Sequence, residues 1–298
     1  MILTRHVLQQ NDSHSLLWIA DNYQYEVITG SHAYGCQTID SDFDIYGFTI
    51  PPKEYLFPSL FGYIPGFSTD IPNFDQLQVR PFNYKKTTAE GQIYNIVKFF
   101  KLCMGNNPNM IDTLFVRDQC VTHCTKIGSM VRSNRELFLS KKCWHTFKGY
   151  AYSQMSRLET KNPDPDGKRA ALREKYGYDV KFAYHIVRLL NEVEQLLETG
   201  SMDLMLHNEQ LKSIRRGEWT IRQIKQYFEA AFPKLEKLYD SSQLPHKPNE
   251  KAIRILLINC LEEFYGDLAI QKNANIADVI TDLQEGLDFL QEKLTKYK

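Results

Sequence analysis

The segment from Tyr25 to Ile50 constrains the fold more than any other part of the chain. Tyr25-Glu26-Val27-Ile28-Thr29 is a β-branched run that stops at Gly30-Ser31, and ten residues later Asp42 leads into a second apolar run, Phe43-Asp44-Ile45-Tyr46-Gly47-Phe48-Thr49-Ile50. If the second run is a strand, Asp42 and Asp44 are two apart and leave the same face of the sheet. Paired carboxylate oxygens suit a hard divalent cation. A strand that ends in Gly-Ser exposes amides and a hydroxyl that a phosphate can approach closely. A phosphate clamp and a metal clamp are therefore expected side by side. An isolated Asp-x-Asp pair is common in turns and N-caps, and the alternative is a connection in which Asp40, Ser41, Asp42 and Asp44 only solvate a turn.

The combination of Gly30-Ser31, a spacer and Asp42-Phe43-Asp44 resembles the signature of the DNA polymerase β-like nucleotidyltransferase superfamily. The resemblance implies that Gly30 and Ser31 hold a nucleoside triphosphate. It also implies that Asp42 and Asp44, with a third carboxylate from a neighbouring strand, bind two metal ions, Mg²⁺ or alternatively Mn²⁺. Glu90 and Asp112 compete for the third place. Lys85 to Tyr94 is expected to be a strand, weakened by Gly91, and Asn95 to Gly105 an amphipathic helix stopped by Gly105 and Pro108. The stretch Ile93 to Phe115 is similar to an RNA-repair-associated branch of the superfamily from bacteria and their viruses. In that branch an acidic residue precedes the Ile-Tyr segment, where this chain has Glu90. Asp112 follows Asn-Pro-Asn-Met-Ile and can equally cap a helix.

With 298 residues, 43% hydrophobic and 24% charged, the chain is ample for a sizeable core and one or two domains. Its 36 basic and 36 acidic side chains cancel, which argues against indiscriminate coating of nucleic acid but leaves room for local basic patches. The N-terminus has no signal-peptide pattern and no apolar run is long enough to span a bilayer, so a cytoplasmic protein without a membrane partner is expected. The six cysteines are scattered. Cys120-Val-Thr-His123-Cys124 resembles half a zinc site without a second half.

The expected fold class is α+β: a small mixed-sheet palm over residues 1–120, then a helical region over 121–298 that packs on it. Pro51 to Phe82, with six prolines, reads as a long irregular loop outside the core, either a wall of the substrate site or a surface insertion. Helical periodicity dominates after about residue 125, broken at Asn162 to Gly167, at Gly200 and at Leu244 to Pro248.

One helix carries a second constellation. From Asp179, an expected N-cap, to Gly200, Lys181, His185, Arg188 and Glu192 form a stripe bordering the apolar residues Phe182, Ile186, Leu189, Val193 and Leu196. Such a stripe is either a salt-bridged solvated face or a phosphate contact with Glu192 pairing Arg188. Tyr178-Asp179-x-Lys181-x-Ala183-Tyr184-His185 is similar to the corresponding helix of the same branch, which assigns Lys181, His185 and Arg188 to the nucleotide. Lys148, Lys168-Arg169, Arg215 and Arg216 are weaker candidates for phosphates, with Lys148, Arg215 and Arg216 assigned to the acceptor. The resemblance covers residues 24 to 220 and implies transfer of a nucleoside monophosphate from an NTP to an acceptor hydroxyl, most naturally an RNA or tRNA end. A protein or small-molecule adenylyltransferase and an inactive nucleotide-binding module are the alternatives. The sequence does not specify the oligomeric state.

Overall fold

The runs that begin at Tyr25 and Phe43 fall in β1 (Tyr23–Thr29) and β2 (Phe43–Thr49), paired antiparallel with Thr29 opposite Asp44. A computed structural model describes residues 18–64, 66–67, 71–84, 87–160 and 168–266, with side chains at all of these except 168–171. The first 17 residues, Lys85 and Lys86, the break expected at 162–167, the side chains of Lys168 and Arg169, and all residues after 266 lie outside that description. Residues up to Leu257 make one unit by internal contacts, and those from Ile258 make another. The described part of the second is the end of the helix Glu250–Tyr265.

The sheet has five strands in the order β3-β4-β2-β1-β5. β3 (Gln76–Tyr84) forms a hairpin with β4 (Thr87–Asn95), and β4 runs parallel to β2, which makes the sheet mixed and the fold α+β. β5 (Val121–Cys124) pairs with β1 on the far edge, so the sheet continues just past residue 120. This edge strand is the segment weighed as half a zinc site, and His123 Nε2 lies 3.1 Å from the Tyr23 carbonyl.

The proline-rich stretch contributes more than a loop. Its end, from Gln76, belongs to β3, and Phe74 and Val79 are buried in one cluster with Ile19, Tyr23 and Ile93. Proline lacks the N–H that a central strand needs. Pro81 is accommodated because β3 is an edge strand and its register breaks between Val79 and Phe82. Elsewhere within 51–82 a short helix, Lys53–Leu56, and a 3₁₀ turn, Pro58–Phe61, remain on the surface without fully buried residues.

Below the sheet, Asn95 caps the helix Ile96–Met104 by accepting from Val97 N at 2.8 Å. Phe48 packs on Phe99 at 4.8 Å, and Tyr25 donates to the Thr113 carbonyl in the next helix, Pro108–Phe115. Asn106, with φ of 50° and fully buried, joins this layer to the helical region. Its amide donates to the Phe138 carbonyl at 2.6 Å and accepts from Ser140, while its own carbonyl accepts from Thr146.

The helix Val180–Thr199 is the axis of the helical region. Asp179 caps it by accepting from Lys181 N, Gly200 ends it with φ of 68°, and the helices Lys142–Glu159, Asn208–Arg215 and Ile221–Ser241 pack around it. Cover on several sides explains why most of its residues are buried. No described helix is long and apolar enough to cross a membrane.

Candidate active site

The site is built where β1 ends, β2 begins and β4 runs alongside. In the parallel pairing of β2 with β4, Asp44 stands opposite Glu90, two residues after Thr88. Gly30 closes the arrangement from the β1 side. Its φ is 62°, and a methyl group added there would stand 1.9 Å from Asp44 Oδ2, so only glycine lets the backbone lie against that carboxylate. Ser31 follows in the four-residue helix Gly30–Ala33, and its hydroxyl forms no hydrogen bond among the described residues. Gly91 matters for a related reason. A side chain there would meet the Ile45 carbonyl at 1.8 Å, so the glycine expected to weaken β4 is what permits its close approach to β2.

Asp42 ends the connection just ahead of β2. Its Oδ1 accepts hydrogen bonds from the hydroxyls of Thr88, at 2.5 Å, and Thr87, at 3.4 Å. These threonines fix the direction of Asp42 and are participants that motif reading passed over. Alternation puts Thr88 and Glu90 on one strand face, but the contact with Asp42 follows only from the pairing of β2 with β4. Among the described residues no three His, Cys, Asp or Glu side chains form a closed metal-ligand set.

The electrostatics nonetheless suit a cation. Burial pushes the Asp44 pKa up to about 6, Lys181 opposes the rise, and the negative charges of Glu90 and Asp42 add to it. A carboxylate that resists ionisation beside two others is a site where a dication relieves repulsion. The donors are all oxygen, which fits a hard ion that retains part of its water.

The stripe on the 180–199 helix divides. Lys181 is exposed, makes no ion pair among the described residues, and is the strongest charge acting to keep Asp44 ionised. His185 is half-buried and stacks on Tyr184, with ring centroids 4.2 Å apart. Arg188 is 2% exposed, and its Nη1 donates to Asp112 Oδ2 at 2.5 Å and to both Glu192 oxygens at 2.8–2.9 Å. The Tyr34 hydroxyl also donates to Asp112 Oδ2, at 2.6 Å, and the guanidinium lies over the Tyr34 ring at 4.5 Å. The assignment of Arg188 to the nucleotide is therefore corrected: its charge is consumed inside the protein. Asp112, fully buried in the same cluster, is likewise an anchor, whereas Glu90 shares the strand register of Asp44.

One cation between two buried carboxyls leaves charge uncompensated. Burial pushes both carboxyl pKa values up despite Arg188. The cluster ties the helical region to the Pro108–Phe115 helix and, through Tyr34, to the turn that follows Gly30-Ser31.

The three acceptor candidates are engaged internally. Arg215 Nη1 donates to the Cys36 carbonyl at 2.6 Å and lies over the Tyr184 ring, which makes it a second tie on the loop after Ser31. Lys148 pairs with Glu236 at 3.7 Å and sits over the Trp144 and Phe232 rings. Arg216 is exposed but held by Glu218. Internal partners thus account for all three.

Residues 11–230 match the model of the family described as RlaP, RNA repair pathway DNA polymerase beta family. No curated protein matches the chain in sequence. Among solved structures, a nucleotidyltransferase-like protein from Exiguobacterium sibiricum aligns over 97% of this chain and 91% of its own, at 10% identity and a TM-score of 0.29.

Proposed function

The chain belongs to the RNA repair pathway DNA polymerase beta family, RlaP, and on that premise we propose that it transfers a nucleoside monophosphate from an NTP to the terminal hydroxyl of an RNA, with tRNA as the leading acceptor. The observation that carries the proposal is the pairing of Asp44 with Glu90 across two parallel strands, with the Gly30 backbone pressed against the same carboxylate. In this reading the acceptor oxygen bonds to the α-phosphorus while the α–β bridging bond breaks and pyrophosphate leaves. The hydroxyl proton passes to solvent.

Each residue has a distinct task. The Ser31 hydroxyl and the amides around Gly30 receive the triphosphate, and Lys181 attracts it across the carboxylate face. Thr87 and Thr88 hold Asp42 in direction. A dication held by Asp42, Asp44 and Glu90, Mg²⁺ by the chemistry of the donors, would supply Lewis-acid activation of the hydroxyl and charge neutralisation of the leaving group. The Arg188 cluster and Arg215 act at a distance, fixing the helix that carries Lys181 and the loop that carries Ser31.

The test is incubation of the purified protein with each α-³²P-labelled NTP, Mg²⁺ and separate pools of RNA, protein and metabolites. Label on RNA that disappears with Glu90→Gln, while that variant melts like the wild type, supports the proposal. Label on protein or a metabolite overturns the RNA acceptor and leaves an adenylyltransferase of the same chemistry.

A further inference from the structure

A cavity of about 1210 Å³ opens between the Ile96–Met104 helix, the first turns of the Lys142–Glu159 helix and the segment from His246 to Leu257. It exceeds the roughly 300–1000 Å³ of a small-molecule site. Lys101, Lys142, Lys247 and Arg254 line it against a single lining carboxylate, Glu250. All four cations are exposed, and among the described residues none forms an ion pair or a side-chain hydrogen bond. This sets them apart from Lys148, Arg215 and Arg216, whose charges are spent internally. A basic rim without ion-pair partners among the described residues, in a chain of zero net charge, suits a polyanion.

The cavity adjoins the catalytic face. Tyr46 lies two residues beyond Asp44 on the same face of β2. Phe48, four residues beyond Asp44 on that face, packs on Phe99 at 4.8 Å, and the next residue of the same helix, Phe100, lines the cavity. Exposed Val97, just past the end of β4, adds apolar floor. From Asp44 to Phe48 the strand covers roughly 13 Å at about 3.3 Å per residue. That length of strand separates Asp44 from the residue that packs on the helix walling the cavity.

Resting on the RNA-end reading above, we propose that this cavity binds the phosphate backbone of the acceptor RNA, through Lys101, Lys142, Lys247 and Arg254. An acidic polypeptide would satisfy the charge, but the match to an RNA repair pathway family favours RNA.

The test uses the full-length protein and fluorescein-labelled tRNA, followed by anisotropy over a series of salt concentrations without NTP, with calorimetric titration of a nonhydrolysable NTP in parallel. The variant Lys142→Ala/Lys247→Ala removes two charges that have no partner among the described residues, so its melting temperature should stay that of the wild type. Its Kd for tRNA should rise at least tenfold, and the salt slope should flatten by about 0.7 for each single-strand phosphate that is no longer neutralised. NTP affinity should not change. Equal tRNA affinity of wild type and variant overturns the cavity assignment while leaving nucleotidyl transfer to RNA intact. Displacement of tRNA by polyglutamate at equal charge overturns it in favour of an acidic polypeptide. Wild-type protein that neither binds nor labels RNA overturns this proposal together with the function it rests on.

Discussion

Asp44→Asn tests the charge crowding at the centre of the site. In the metal-free protein, burial, opposed by Lys181 and reinforced by Glu90 and Asp42, pushes the Asp44 pKa up to about 6, against about 3.9 for an unperturbed aspartate. A rise of about two pH units corresponds to about 3 kcal/mol. The sign follows from proton binding. Between pH 4 and 6 the folded protein holds a proton at Asp44 that the unfolded chain has released, so stability falls as pH rises through this window and the penalty is complete above it. Asparagine cannot ionise and escapes the penalty. In EDTA at pH 8 the variant should be more stable than wild type by up to about 3 kcal/mol, a ceiling because the carboxylate keeps some solvent exposure, and by about half that at pH 5. Urea unfolding at both pH values measures the difference. Added Mg²⁺ should stabilise wild type by mass action and leave the variant nearly unmoved, and turnover should vanish although the fold is firmer. A variant that is less stable at pH 8, or equally stabilised by Mg²⁺, would refute the crowding of Asp44 with Glu90 and Asp42.

Other perturbations separate the remaining roles. Gly30→Ala places a methyl group on Asp44 and holds a side chain at positive φ, so it should cost about 1–3 kcal/mol in denaturant unfolding and abolish transfer. Arg188→Met leaves Asp112 and Glu192 buried without their cation, which should cost roughly 3–5 kcal/mol. Both carboxyls already resist ionisation and resist it more without Arg188, so the destabilisation should be larger at pH 8 than at pH 5, as read by unfolding at the two pH values. Lys181→Ala should do the opposite, leaving melting unchanged while raising the NTP dissociation constant about tenfold, since a charge-assisted hydrogen bond to phosphate is worth about 1.5 kcal/mol.

The relative placement of residues within one short segment was readable from it. Gly30, Ser31, Asp42 and Asp44 are separated by a connection so brief that strand alternation and turn chemistry nearly determine their relation, and the structure brings Gly30 and Asp44 into contact. The helix from Asp179 to Gly200 was equally plain, because its cap and its left-handed glycine are local signals. β3 was not plain. Its solvent face is polar, its proline is tolerated only at an edge, and edge position depends on the order of strands far apart in sequence. The threonines that orient Asp42 escaped for the same reason, since they reach it only through the pairing of β2 with β4.

The stripe from Lys181 to Glu192 shows why periodicity on one helix cannot assign function by itself. Spacing of three and four residues guarantees a common face of the helix, but it leaves open what that face meets along its length. From Lys181 to Arg188 is seven residues, about 10 Å of helix at 1.5 Å per residue, and over that distance the surroundings pass from solvent to interior. Lys181 is exposed beside the carboxylates, while Arg188 is enclosed by Asp112, Glu192 and Tyr34. Asp112 and Tyr34 lie more than seventy residues upstream, so nothing local to the helix could reveal that the arginine was already matched. The two cations are nevertheless linked in purpose. A buried arginine that fixes the helix to the Tyr34 turn holds the exposed lysine at a set distance from Asp44, so part of the nucleotide affinity assigned to Lys181 depends on Arg188, which need never touch a phosphate.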